Sequence, residues 1–195
     1  MHAIIIEKSD LDIMKTIKFT LITILLLAHW PVVHSNTAQV LPPVISERWH
    51  KAKMIGQTSF RKYGFHIYDA SYWLLERDSQ GEPMTNSKAL MIAYARNIKS
   101  EKLVASTEKQ WNKIGVSSDY PVSQWLTELS GIWPDVGPGD LLIALVTPGG
   151  STEFYSGDGL LGVINDAQFG PVFLDIWLGS KSRYQKNRKE LLNEG

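Results

Sequence analysis

Leu141–Val146 is an uninterrupted apolar run, LLIALV, between two turn-forming clusters, VGPGD before it and TPGG after it. Six residues is a typical strand length, and Gly and Pro on both sides favour turns. Successive side chains of a strand point to opposite faces, so a strand that is apolar at every position has to be covered on both faces. The run therefore predicts a buried strand with protein packed above and below it.

The glycines that follow this strand resemble a nucleotide-binding motif. Residues 157–162 read GDGLLG, which has the spacing G-x-G-x-x-G. A dinucleotide site needs these glycines between a strand and a helix, whereas here they lie between the strand-like segments STEFY and VIND. The neighbouring clusters VGPGD and TPGG also lack the Lys-Ser/Thr ending of a phosphate loop. The glycines are interpreted as a hairpin turn.

Strand-like and helical patterns occur in separate runs along the chain. Residues 52–75 and 88–96 have the aromatic and β-branched character of strands, and residues 100–115 and 121–133 have helical periodicity. Strands return from residue 140, and two helices close the chain. Runs of each type, rather than alternation, predict an α+β fold with an antiparallel sheet.

Two of the helices have clear core-facing stripes. The first is expected to begin at an N-cap Ser100 and to end at Gly115, with Leu103, Thr107, Trp111 and Ile114 along one side. The later one places Pro171 in its first turn and has a stripe made of Phe169, Val172, Phe173, Ile176 and Trp177.

Composition excludes several classes of site. The chain has 20 Lys+Arg and 20 Asp+Glu, which gives no support for broad electrostatic binding to nucleic acid. It has no Cys, and only His50 and His66 lie beyond the N-terminal segment, so neither a metal nor another cofactor is expected. The motifs G-x-S-x-G and H-E-x-x-H are absent from the sequence.

The N-terminus has the pattern of a signal peptide. MKTIKF, which starts at Met14, is followed by the short apolar segment TLITILLLAHW and by VVHS, with Val33 and Ser35 at the cleavage positions. The predicted organisation is a signal peptide at residues 1–35, a leader at 36–45 and a folded domain at 46–195, in the periplasm or secreted. The alternatives are an uncleaved anchor and either Met1 or Met14 as the start. Membrane contact is expected only through the signal peptide.

The order of these pieces resembles the chalcone isomerase-like family, in particular its exported bacterial members. The matching segments are VGPGDLLIALVTPGG, TEFYSGDGLLGVINDAQF, DIWLG, GFHIYDASYW and ALMIAYARNIKSEKL, which together cover about residues 50–193. The resemblance implies an open-faced sandwich, in which an antiparallel sheet carries helices on one face with a ligand cleft between them. It also implies one of two activities: cofactor-free cyclisation of a chalcone, or binding of fatty acids through a Tyr and an Arg.

The residues that the resemblance assigns to catalysis are mostly substituted. Lys99 stands where the enzymes have a Tyr, Ile176 where they have Ser or Thr, and Ser106 where they have an Asn. Tyr63 stands where the enzymes have Thr and the fatty-acid binders have Tyr. The substrate-gripping guanidinium is assigned to Arg61, with Arg48 as the other candidate. No catalytic residue is assigned, and whether the protein is an enzyme stays open.

The predicted ligand site combines Tyr63, Arg61, Tyr94 and Arg96, whose phenols and guanidinium groups suit a carboxylate. His66 and Asp69 lie three apart on a strand and are expected on opposite faces, so they are not predicted to form an acid–base pair.

The favoured function is non-catalytic binding of a small amphipathic ligand such as a fatty acid. The alternatives are a cofactor-free isomerase on an unknown substrate and a protein-interaction domain with a closed cleft.

Overall fold

The computed structural model describes residues 40–49, 51–76, 86–116 and 118–194. The predicted signal peptide at residues 1–35 lies outside these ranges. Six strands form one antiparallel sheet in the order in which they occur along the chain. They are β1 (Lys51–Lys62), β2 (Phe65–Glu76), β3 (Asn86–Tyr94), β4 (Leu141–Val146), β5 (Thr152–Tyr155) and β6 (Leu160–Ile164).

Within the described ranges five helices accompany the sheet: α1 (Pro43–Ser46), α2 (Ser100–Ile114), α3 (Val122–Ile132), α4 (Phe169–Leu178) and α5 (Gln185–Leu192). The four longer helices contribute to one hydrophobic core on one face of the sheet, which α1 does not join. The predicted α+β fold, an antiparallel sheet with helices on one face, is confirmed.

The apolar run lies in β4 and is covered on both faces as predicted. Leu142 and Ala144 face the core beneath the longer helices, whereas Ile143 and Leu145 face a second core on the opposite side. That second core includes Leu41 and Ile45, which are buried. Residues 41–45 therefore pack on the sheet, and the predicted domain boundary between residues 45 and 46 falls within α1.

Strands β1 and β2 are joined by a tight turn that lies within residues 52–75, the range predicted to be strand. Tyr63 and Gly64 both have positive φ, 51° and 81°, between the paired residues Lys62 and Phe65. Two central residues with positive φ are typical of a type I′ hairpin turn, whose twist matches that of the flanking strands. The expectation that Tyr63 belongs to a strand is wrong.

A β-bulge in β2 alters which residues share a face. Phe60 pairs with Tyr68 but Arg61 pairs with His66, so Ile67 is an extra residue on β2. One extra residue shifts the alternation of side chains by one position. His66 and Asp69 therefore meet, with the imidazole Nε2 2.9 Å from the carboxylate Oδ1, and the expectation that they lie on opposite faces is wrong.

The core-facing stripes of α2 and α4 are largely confirmed. The four predicted residues of α2 are its buried ones, and Gly115 ends the helix in the left-handed conformation. Ser100 is already helical, and its N–H donates to the Asp135 carboxylate at 2.9 Å, so the capping acceptor comes from a distant loop rather than from the Ser100 side chain. In α4, Pro171 is the third helical residue, as expected for the first turn.

The predicted hairpin turn at GDGLLG is also confirmed. Ser156 N–H donates to the Gly159 carbonyl at 2.9 Å, which closes the turn between β5 and β6. Gly162 lies within β6 against Ile132 of α3, where a Cβ would be 2.7 Å from the isoleucine side chain. The last glycine thus permits helix–sheet packing, and the nucleotide interpretation has no support in this geometry.

Candidate functional site

A cavity of about 370 Å³ lies between the sheet and the longer helices. Its floor comes from β1 to β4 and its opposite wall from α2, α4 and the segment leading into α5. The apolar or aromatic residues among those that line it are Phe60, Ile67, Tyr68, Ile92, Tyr94, Ile98, Leu103, Trp133, Leu142, Phe173, Ile176, Trp177 and Tyr184. Its size and lining are typical of sites for small, largely apolar ligands.

Of the three tyrosines that line the cavity, Tyr68 and Tyr94 have the strongly shifted phenol groups. The indole N–H of Trp177 donates to the Tyr68 hydroxyl at 3.0 Å. The hydroxyl of Tyr94 makes no hydrogen bond with any residue in the described part of the chain. Burial raises the pKa of both phenols well above the ordinary value, so both remain neutral and keep their protons. The cavity therefore contains neutral hydrogen-bond donors in a poorly hydrated environment.

The cationic groups of the cavity are at its rim. Lys62, at the end of β1, and Lys102, in the first turn of α2, are both solvent-exposed and line the opening. No Asp, Glu or His is among the described residues that line the cavity. The site thus combines an apolar interior with a positively charged edge, and its lining includes no carboxylate or imidazole that could act as a general base.

The four predicted ligand-binding residues are not brought together. Tyr94 lines the cavity. Tyr63 is 90% exposed in the β1–β2 turn, and Arg96 is exposed beyond the end of β3 with its guanidinium 5.0 Å from the Phe65 ring centroid. Neither of the two is among the residues that line the cavity, so they do not join Tyr94 there.

The two arginines assigned to the ligand carboxylate also lie elsewhere. Arg61 lines a separate polar cavity of about 380 Å³ with Asp69, Lys186 and Glu190. The physical reason is alternation along β1, because Phe60 and Lys62 face the apolar cavity and Arg61 between them does not. The other candidate, Arg48, contacts Glu153 at 3.2 Å and the Tyr155 hydroxyl beside the second core.

Positions that correspond to the isomerase side chains are accounted for by other contacts. Lys99 forms an exposed ion pair with Asp135, with 2.6 Å between the ammonium nitrogen and the carboxylate oxygen. Ile176 and Ser106 both line the cavity. An apolar group and a small hydroxyl thus stand at two of the positions where the resemblance implies catalytic side chains.

Sequence reasoning missed Tyr68, Lys62 and Lys102 as site residues. The signal for Lys102 was present, because it lies next to the buried Leu103 and four residues before Ser106, on the flank of the core-facing stripe. The role of Tyr68 beside Trp177 depends on helix packing that no local pattern specifies.

Within the described ranges, no group of three or more His, Asp or Glu side chains could hold a metal ion. The same residues include no helix that is long and apolar enough to cross a bilayer.

Comparisons with known proteins agree with this architecture. The sequence profile of the family described as chalcone isomerase-like matches residues 53–193. A protein of Haemophilus influenzae is 25% identical over 142 residues, which cover 72% of this chain and 67% of that protein. The fatty-acid binding protein of Arabidopsis thaliana has the same fold, with a TM-score of 0.56 and 10% identity over 83% of this chain and 95% of that one. This chain belongs to the chalcone isomerase-like family.

Proposed function

We propose that this protein binds a small amphipathic molecule such as a fatty acid, with the hydrocarbon chain in the cavity and the carboxylate at the rim. The observation that carries the proposal is the separation of apolar and cationic side chains within one cavity. The interior is apolar and aromatic, whereas the cations Lys62 and Lys102 lie at the opening.

Physical chemistry favours this orientation of the ligand. Each CH₂ group moved from water into an apolar cavity contributes about 0.8 kcal/mol. A carboxylate in the interior would lose its hydration beside Tyr68 and Tyr94, whose raised phenol pKa values indicate strong desolvation. At the rim it stays hydrated and close to two ammonium groups.

The same lining argues against the two alternative functions. A cofactor-free isomerase needs a base beside the reacting carbon, and among the described lining residues the only ionisable side chains are tyrosines and the two lysines. A closed interaction domain would have its cleft filled by side chains, whereas this cavity has room for a ligand. The name of the Arabidopsis neighbour, a fatty-acid binding protein, supports the binding function by analogy of fold alone.

We propose that this binding takes place outside the cytoplasm. The charged, apolar and small residues of positions 14–35 support export and cleavage near Ser35.

Calorimetric titration with dodecanoate, kept below the concentration at which it forms micelles, tests the proposal. Lys62→Gln and Lys102→Gln should each weaken binding about twofold to fivefold, the range for partly exposed ion pairs. Arg61→Gln is the matched control, because it also removes one charge from β1 but faces the other cavity. Absence of heat for the unaltered protein would contradict the proposal. A loss of affinity in Arg61→Gln but not in the lysine variants would contradict the orientation.

A further inference from the structure

The turn between β1 and β2 exposes two aromatic rings at one end of the sheet. Tyr63 is 90% exposed and Phe65 is 60% exposed. Each ring has a cation over it: the Lys62 ammonium is 5.8 Å from the Tyr63 centroid, and the Arg96 guanidinium is 5.0 Å from that of Phe65. Lys62 also lines the cavity, so the aromatic turn adjoins the cavity opening.

A stripe of lysines on α2 lies beside the same opening. Lys102, Ser106, Lys109 and Lys113 are spaced i, i+4, i+7 and i+11, which places them on one side of the helix. Lys102 and Ser106 both line the cavity. The acidic residues of α2, Glu101 and Glu108, lie seven apart on the opposite flank of its buried stripe. Charge on this helix is therefore segregated, with the positive side towards the opening.

Cations from neighbouring elements extend this positive surface. The pKa of the Lys113 ammonium is lowered, first by desolvation and then by the positive charges of Lys109, Arg183 and Lys62. Those three groups come from α2, the segment before α5 and the end of β1. None of the four cations forms an ion pair with another residue in the described ranges. Lys62, which lines the cavity, thus belongs to a group of four unpaired cations from three neighbouring elements.

We propose that this rim surface, formed by Lys62, Tyr63, Phe65, Arg96, Lys109, Lys113 and Arg183, docks on an anionic lipid bilayer, with the aromatic turn at the depth of the headgroups. A soluble anion would account for the cations but not for two exposed aromatic rings beside them. A bilayer surface accounts for both, because aromatic rings favour the headgroup region and each basic residue is attracted to anionic lipid.

Docking at this surface would place the cavity opening against the membrane. An amphipathic ligand could then pass between bilayer and cavity without crossing water. This transfer of a ligand rests on the proposed function. The docking itself does not, and it is tested without any cavity ligand.

The absence of Cys allows the orientation to be measured on the full chain. Phe65→Cys, labelled with an environment-sensitive fluorophore, reports on the aromatic turn. Pro148→Cys is the matched control, because it is an exposed turn residue at the opposite end of the strands, beyond Val146 of β4. Both proteins contain the apolar residues 20–30, so any membrane binding by that segment affects them equally.

Vesicles of equimolar phosphatidylglycerol and phosphatidylcholine should shift the emission of the label at position 65 to the blue and leave the label at 148 unchanged. The double substitution Lys109→Gln/Lys113→Gln should raise the lipid concentration for half-maximal shift by about thirtyfold, as expected for two basic residues near an anionic surface. Neither lysine lines the cavity, so dodecanoate affinity should be unaffected in the same variant.

The proposal is overturned by no shift at position 65, by equal shifts at both positions, or by an equal shift with phosphatidylcholine alone. It is also overturned if the lysine substitutions leave the titration unchanged. The same shift with soluble poly-glutamate would assign the surface to an acidic protein partner instead.

Discussion

The two buried tyrosines of the cavity provide a test of its hydrogen bonding that needs no ligand. Tyr68 accepts a hydrogen bond from the Trp177 indole, whereas Tyr94 has no partner among the residues that the structure describes. Tyr68→Phe would leave the indole N–H unpaired in a half-buried position. Loss of one partner from such a bond costs about 1–3 kcal/mol, and the incomplete burial of Trp177 places the expected loss near 1 kcal/mol.

Tyr94→Phe should leave the free energy of unfolding unchanged or raise it. It removes a hydroxyl that makes no hydrogen bond within the described part of the chain, and keeps the ring that packs against the core. The expected change lies between zero and a stabilisation of about 1 kcal/mol, because an unpaired hydroxyl in an apolar environment is unfavourable.

Urea unfolding followed by tryptophan fluorescence measures both changes. In a domain of this size, 1 kcal/mol also corresponds to a shift of about 2–4 °C in the melting temperature. Tyr63→Phe is the control for hydroxyl removal at an exposed site, with an expected change within about 0.5 kcal/mol. The reasoning is refuted if Tyr94→Phe loses more than about 1 kcal/mol, or if the two cavity variants lose the same amount.

Three further predictions concern packing, chemistry and processing. Gly56→Ala should destabilise the fold by about 1–3 kcal/mol, because its Cβ would lie against the Glu190 carbonyl oxygen of α5. The control Gly131→Ala, with open space around the added Cβ, should be neutral or stabilising. The denaturant midpoint measures both, and equal midpoints for the two variants would contradict the close packing of α5 on β1. Spectrophotometric assay should find no chalcone cyclisation above the spontaneous rate, because Ile176 and Lys99 stand where the resemblance implies hydroxyl groups, and enzyme-dependent turnover would reverse this. N-terminal sequencing of the exported protein should find a start near Asn36, and a retained MKTIKF would show an uncleaved leader.

The fold was predictable because its signals are local and repeated. The apolar run of β4, the stripes of α2 and α4, and the glycines at residues 157–162 each match one element of the structure. Periodicity reports which side of an element is apolar, and the order of the elements then leaves few arrangements.

The site was not predictable in the same way, because it depends on single-residue shifts. The extra residue Ile67 changes the alternation of β2, and the turn at Tyr63 removes that ring from the sheet. Assignment of Tyr63 and Arg61 by position in a family pattern assumed a continuous strand with no bulge. Tyr94 lies on β3, which pairs with β2 without a bulge, and it lines the cavity between sheet and helices.

The central claim is that the cavity binds the hydrocarbon chain of an amphipathic ligand. Calorimetric titration with saturated fatty acids of increasing length, each below its micelle-forming concentration, tests it most directly. Each added CH₂ that enters the cavity should tighten binding about fourfold, the equivalent of about 0.8 kcal/mol, until the cavity of about 370 Å³ is filled and the affinity levels off. No binding at any length, or an affinity that does not depend on length, would contradict the account.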